Sequence, residues 1–342
     1  MFTTVFPAPR LFAPGQGEPS LRWGVIGPGS IAGWFVSAMR TRTAQTVAAV
    51  SSRSLERAEE FAARHGIARA YGSTEQLLAD PEIDVIYIAA TQNEHVNLGL
   101  AAIAAGKHVL VEKPLAMTAA EAQTMVDAAR AQGVLLMEAM WSRYQPKASV
   151  IRQLLADGVL GEIRHVHADH GQSLPAGHRL YRADLGGGAL FDLGIYPVQL
   201  DSMVLGAPQS IHVTGAMTDS GVDAHATLVL GHGTAQSTLT TSMIARTPTT
   251  AVIAGSEACL ALDGPFHVPA DMVLTGNQFL GERHVWSDPT GVGLMDALCW
   301  EATALATYVG EQRLESPLHT HQETVSIIGT LEEALRQIRA SA

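Results

Sequence analysis

The sequence has almost no cysteine. Cys259 and Cys299 are the only two in 342 residues, which excludes a disulfide scaffold and a cysteine-ligated zinc site and fits a reducing compartment. There is no basic excess either. The chain carries 22 basic and 33 acidic residues for a net charge of −11, and no basic block supplies the footprint a nucleic-acid partner needs. Long apolar runs are also missing: the most apolar windows, 84–90 and 98–106, fall far short of the ~20 residues of a membrane-spanning helix. The first twenty residues hold one arginine and four prolines (Pro7, Pro9, Pro14 and Pro19), where a signal peptide needs a basic start and an unbroken apolar stretch. Residues 1–20 are expected to form an extended arm or disordered tail, and the protein is expected to be cytoplasmic.

What is present is material for a large core. Hydrophobic residues make up 47% of the chain, and at roughly 150 residues per domain the length predicts two domains. Over 21–142, apolar runs alternate with helical patterns, the mark of a parallel sheet with crossover helices. Strands are predicted over 21–26, 46–50, 69–71, 85–89, 107–111 and 134–138. After Trp141 a helix over 147–157 leads into strand-like runs at 163–169, 210–218, 224–230, 235–242 and 250–255. Consecutive strands of this kind predict a large, mostly antiparallel, open-faced sheet. The fold class read from this order is α/β: a Rossmann dinucleotide-binding domain over 21–142 and an α+β substrate domain over 143–342. A closing helix at 320–339 could pack back on the first domain.

Gly27-Pro28-Gly29-Ser30-Ile31-Ala32 stands between the first strand and the first helix, the setting that turns a weak glycine pattern into a dinucleotide signature. Gly27 permits the tight turn, Gly29 lets the backbone approach a pyrophosphate, and Ala32 is small enough for close helix packing. A strand that serves NAD usually ends in an acid for the ribose hydroxyls. Here the second strand runs into Ser51-Ser52-Arg53-Ser54, where hydroxyls and a guanidinium suit a 2′-phosphate. NADP is the expected cofactor, with NAD still possible.

Glu112 and Lys113 fall at the carboxyl end of the strand over 107–111, the edge where open α/β sheets bind ligands, and Pro114 ends that strand. A lysine there can hold a hydroxyl by hydrogen bonding. Downstream, Gly186-Gly187-Gly188 opens an apolar helix, which predicts free backbone donors and close approach to a ligand. Asp192 and Tyr196 lie four apart on that helix, and a phenol beside a carboxylate and an ammonium can act as general acid or base.

Together, EKPLAMT at 112–118, the glycine loop and GGGALFDLGIYPVQL at 186–200 resemble the Gfo/Idh/MocA oxidoreductases. LMEAMWSRYQP at 136–146 and ESPLHTHQE at 315–323 resemble the branch that holds dimeric dihydrodiol dehydrogenases and NADP-dependent D-xylose dehydrogenases. The resemblance spans about 21–338. It implies that Lys113, Asp192 and Tyr196 form the catalytic set, with Tyr196 transferring the proton, Lys113 holding the substrate oxygen and Asp192 orienting the lysine or the substrate. It also implies that His95 lies near the nicotinamide. The family often has Thr-Pro-Asn just before that position. Here Ala90-Thr91-Gln92-Asn93 leaves open whether Gln92 or Asn93 faces the cofactor.

The expected cofactor-binding residues are thus Gly27, Gly29, Ser30, Ile31, Ala32, Ser52, Arg53, Thr91, Gln92, Asn93, His95, Glu112 and Lys113. Trp141, Arg143 and His178 join Asp192 and Tyr196 as expected substrate-binding residues. His165, His167 and His170 look like a metal cluster, but on a strand only the first two share a face, so no metal is expected. The reading is an NAD(P)-dependent oxidoreductase acting on a sugar, polyol or trans-dihydrodiol hydroxyl. The alternatives are a nicotinamide-dependent hydrolase or lyase, or a non-catalytic nicotinamide sensor. The strand runs at 210–255 carry apolar residues on both faces, which predicts a homodimer through the second sheet.

Overall fold

The structure, a computed structural model, describes residues 6–278 and 281–341. The chain divides into two compact units: residues 11–145 with 293–325 form one, and the remaining described residues form the other. Residues 293–325, placed by the sequence in the second domain, therefore belong to the unit of the parallel sheet.

That unit is built from β1 (Arg22–Ile26), α1 (Ser30–Arg42), β2 (Thr46–Ser51), α2 (Leu55–His65), β3 (Arg69–Tyr71) and α3 (Thr74–Leu78). β4 (Val85–Ile88), α4 (His95–Ala104), β5 (His108–Glu112), α5 (Ala119–Gln132) and β6 (Leu136–Ala139) follow. The strands run parallel in the order β3-β2-β1-β4-β5-β6, so the strand order reverses at β1 and β4. Every residue of β4 and of β6 is buried, as expected where helices cover both faces of a parallel sheet. The helix starts obey local capping chemistry. Ser54 Oγ accepts from Arg57 N at the start of α2, and Thr118 with Glu121 closes a reciprocal capping box on α5. Residues 6–20 carry no helix or strand, yet Phe12 packs edge-on to Tyr144 and Tyr308 at centroid distances of 6.0 and 5.7 Å.

The second unit begins with α6 (Pro146–Ala156) and β7 (Ile163–Gly171), then α7 (Ile195–Leu205), β8 (Ser210–Met217), β9 (Asp223–His232) and β10 (Ala235–Ser242). β11 (Ala251–Gly255), β12 (Ala258–Leu262), β13 (Met272–Gly276) and β14 (Arg283–Trp286) complete an eight-stranded sheet in the order β14-β13-β12-β11-β7-β10-β9-β8. All neighbours are antiparallel except β7 and β10. Alternation separates two faces. Leu230, Ser237, Val166, Ile253, Leu260 and Leu274 form one buried row across six strands. Behind residue 293, α8 (Cys299–Gly310) belongs to the first unit, and α9 (His321–Ser341) begins there and ends in the second. No helix among the described residues is long and apolar enough to cross a membrane.

Candidate active site

The turn from β1 to α1 is made by Gly27 at φ +90°, where a Cβ would meet the Ala89 carbonyl oxygen at 2.7 Å. Two residues on, the space a Cβ of Gly29 would fill is open to 4 Å, and no side chain caps the start of α1. The first amides of that helix, from Ser30, Ile31 and Ala32, are the orphan donors every helix start leaves, and a side chain on Gly29 would stand in the open space at this turn. This cradle fits a pyrophosphate. At the end of β2, Ser52 N donates to Tyr71 O at 3.1 Å and Arg53 is exposed. Beside them a cleft of about 720 Å³ is lined by Leu55, Tyr71, Gly72, Ser73 and Gln76.

After β4, Thr91 opens a short turn on which Gln92 is buried, while Asn93 is exposed and donates from its amide to Glu94. His95 is 1% exposed. Its Nδ1 lies 2.7 Å from the Pro114 carbonyl and its Nε2 3.2 Å from the Ala90 carbonyl, and burial pushes its pKa down despite both contacts. His95 thereby ties the start of α4 to the turn that follows Lys113. Glu112 takes the Tyr87 hydroxyl on one oxygen at 2.5 Å and the Lys113 backbone amide on the other at 3.2 Å. Lys113 itself is half-buried. Trp141 and Arg143 sit on the short turn after β6, at 5% and 2% exposure. The Arg143 guanidinium bonds Glu323 at 2.6 Å and the Leu318 carbonyl at 3.3 Å, which is the setting of a buried structural cation.

In the second unit the structure brings Asp192 and Tyr196 together with residues the sequence did not single out. Asp192, in the wide turn Leu190–Gly194 that leads into α7, accepts from Arg179 at 3.0 Å. Tyr196 stacks on His267, with ring centroids 4.4 Å apart, and His267 stacks in turn on His170 at 4.5 Å. His178 caps the turn before Arg179–Tyr181, its Nδ1 accepting from Leu180 N. Arg179 and His267 are 13 and 71 residues from the side chains they meet in the chain, and no local motif marks either.

The expectation of free donors at the start of this helix is overturned. Gly186, Gly187 and Gly188 donate to the carbonyls of Ala183, Arg182 and Leu180, and Leu190 N donates to the Asp223 carboxylate at 2.7 Å. Asp223 is 1% exposed, and burial pushes its carboxyl pKa up in spite of these donors. A Cβ on Gly187 would meet the Leu180 carbonyl oxygen at 2.4 Å, and one on Gly188 would meet Asp223 at 2.2 Å. The three glycines serve close packing of the chain on itself. Among the described residues, no group of three His, Cys, Asp or Glu side chains is placed to hold a metal ion.

Comparison with known proteins matches both parts of the chain to family models. Residues 21–140 match the model of an oxidoreductase family with an NAD-binding Rossmann fold, and 149–261 match the GFO/IDH/MocA C-terminal domain. The chain is 37% identical to trans-1,2-dihydrobenzene-1,2-diol dehydrogenase of Danio rerio, over 93% of this chain and 97% of the relative. It is 39% identical to the enzyme of that name from Macaca fascicularis, over 75% and 78%. A solved structure of a 3-ketoreductase from Actinomadura kijaniata, in complex with NADP and TDP-benzene, superposes with a TM-score of 0.81 at 27% identity, covering 93% of this chain and 97% of that one. A cradle kept clear by Gly29 in one unit, the Asp192–Tyr196 helix in the other, and relatives matched along nearly the whole chain make this protein a member of the GFO/IDH/MocA oxidoreductase family.

Proposed function

We propose that this chain is an NADP-preferring dehydrogenase that acts on a hydroxyl-bearing carbon of a sugar, a polyol or a trans-dihydrodiol. The observation that carries the reading is the Tyr196 phenol one helical turn from an Asp192 carboxylate held by Arg179. When bound, the nicotinamide supplies the acceptor or donor of hydride. In the oxidative direction Tyr196, in its phenolate form, takes the proton of the substrate hydroxyl at its oxygen, and Lys113 holds the same hydroxyl oxygen. Asp192, kept in place by Arg179, orients the substrate. The shared task of Lys113, Asp192 and Tyr196 rests on the likeness of their two motifs to those of the family. Gly27, Gly29 and the first amides of α1 would hold the pyrophosphate, with Ser52 and Arg53 at the 2′-phosphate. The names of the dihydrodiol dehydrogenase relatives support the diol as a substrate class.

We also propose a cytoplasmic homodimer. Cys259 and Cys299 are free thiols, as suits a reducing compartment. On the outer face of the second sheet one row runs through all eight strands: His212, Val229, Thr238, His167, Val252, Ala261, Val273 and Val285. Val229 and Val285 in this row are 40% and 62% exposed, and four valines, an alanine and a threonine beside two histidines favour a two-fold partner.

A screen of aldoses, polyols and trans-dihydrodiols with NADP and with NAD, followed at the nicotinamide absorbance, tests the activity. The expected result is turnover of at least one of these classes, faster with NADP. Cofactor that co-purifies, together with substrate turnover that leaves it unreduced, would point instead to a hydrolase or lyase. Sedimentation at micromolar concentration tests the dimer, and a lone 36.2 kDa species would sink it.

A further inference from the structure

We propose that the buried Glu138–His319 pair positions Lys113. The inference rests on the reading of Lys113 as the group that holds the substrate oxygen. Three bonds fix the backbone around that lysine: Lys113 N to Glu112, the Pro114 carbonyl to His95, and Leu115 N to Glu138 Oε1 at 2.8 Å. The third is unlike the others because its acceptor is itself held from far along the chain. Glu138 Oε2 lies 2.6 Å from His319 Nε2, and the side chains are 0% and 1% exposed. Glu138 is on β6, directly paired with Val111 of β5, so its carboxylate sits beside the strand that delivers Lys113.

The groups facing His319 make it a cation holder. Thr324 Oγ1 lies 3.1 Å from Nε2, and Glu323 Oε2 lies 3.7 Å from Nδ1. Arg143, bonded to Glu323, and His321 are the other charged or titratable neighbours. Burial opposes a charge on the ring, but the two carboxylates outweigh it and raise the His319 pKa. Burial likewise pushes Glu323 up, yet His319 and Arg143 hold it down at about 2. A buried ion pair adds little net stability over an apolar pair of the same shape. Here it adds direction. A carboxylate pinned on one oxygen presents the other at a fixed place to the amide two residues beyond Lys113, and a displacement of about 1 Å at a reacting group costs on the order of 100-fold in rate.

The test compares Glu138→Gln, His319→Gln and Lys113→Met, with kcat, KM, the pH profile of kcat, NADP affinity by fluorescence and hydrogen exchange across 112–118 as readouts. For the two glutamine variants we expect kcat to fall about 10- to 100-fold, with KM and NADP affinity within about 3-fold of the unmodified protein. The unmodified protein should lose kcat as pH rises through the His319 titration, and His319→Gln should lack that limb. Leu115 amide exchange should quicken about 10-fold in both. If Lys113→Met is inactive while the glutamine variants keep the normal pH limb and exchange, Glu138 and His319 are merely structural and this inference falls alone. Normal turnover by Lys113→Met overturns the role of Lys113, and this inference with it. If the glutamine variants do not fold, the Leu115 amide resonance of the unmodified protein decides. It should shift as the His319 ring titrates above the ordinary histidine value, and an amide indifferent to that titration overturns the proposal.

Discussion

The turn before α1 and the turn before α7 look alike in sequence: glycines, then small or apolar residues, then a helix. In space they have opposite jobs. A Cβ on Gly29 would point into open space, and the donors of α1 have no side-chain cap. Cβ atoms on Gly187 and Gly188 would collide with the Leu180 carbonyl and with Asp223, and the donors there are already taken. A glycine-rich helix start is a ligand site when the missing side chains leave a hollow, and a packing joint when the chain itself fills it. On the proposed reading the second turn still serves function, because it carries Asp192 and Tyr196.

The strongest test of that division is Tyr196→Phe. It keeps the ring on His267 and removes only the proton acceptor, so turnover should fall by about two to four orders of magnitude with NADP binding intact. Near-normal turnover would move the proton to another group, with Lys113 or a histidine such as His178 the next to examine. Gly29→Val fills the hollow of the first turn. NADP affinity should drop about 100-fold or more, with little change in Tm, because nothing of the protein occupies that space. Loss of Tm without loss of affinity would make the first turn a packing joint as well.

Arg53→Ala should weaken NADP about 10- to 150-fold and NAD far less, the worth of one charge-assisted contact. Equal losses for both cofactors, measured by titration, would take Arg53 off the 2′-phosphate. Asp223→Ala reverses the pattern. Unfolding free energy should fall by about 1–3 kcal/mol as Leu190 N loses its acceptor, while NADP affinity holds. The smallest effect concerns pH. Burial raises the folded-state pKa of Asp223, so its contribution is full below the unfolded value of about 3.8 and is lost as pH rises through the folded one. Asp223→Asn, which keeps an acceptor without the charge, should therefore gain stability relative to the unmodified protein as pH rises from about 3 to about 7. Parallel Tm curves would remove the strain assigned to that carboxylate.

Local pattern made much of this legible. Strands at Arg22–Ile26, Val85–Ile88 and Ala235–Ser242, and the helix His321–Ser341, lie within a few residues of where periodicity puts them, because burial on one or both faces writes itself into alternation. The strands β12 to β14 were not legible. Ala258–Leu262, a short Ala-Leu-Cys run, suits a helix as well as a strand, and only its pairing with β11 and β13 decides. α8 was likewise hidden. Its near-continuous apolar surface reflects burial all round, which leaves no stripe to read. In the candidate site, Lys113, Asp192 and Tyr196 carry motifs, whereas Arg179, His267 and Asp223 matter through partners that only the folded chain brings near; His319 lies in the ESPLHTHQE motif, but nothing local points to its partner Glu138. Asp223 shows the cost. Without it the glycines at 186–188 read as a ligand cradle.

The return of residues 293–325 to the unit of the parallel sheet has a consequence for how the protein is made. At about 5–20 residues per second of synthesis, residue 320 follows residue 145 by roughly 10–35 s. Through that interval the nascent sheet is complete in its strands, but Glu138 waits for the histidine that neutralises it, and Arg143 waits for Glu323. The nucleotide-binding half of the molecule comes first in the gene yet waits for residues 293–325, so a premature stop between 143 and 319 leaves Glu138 without its histidine and Arg143 without Glu323.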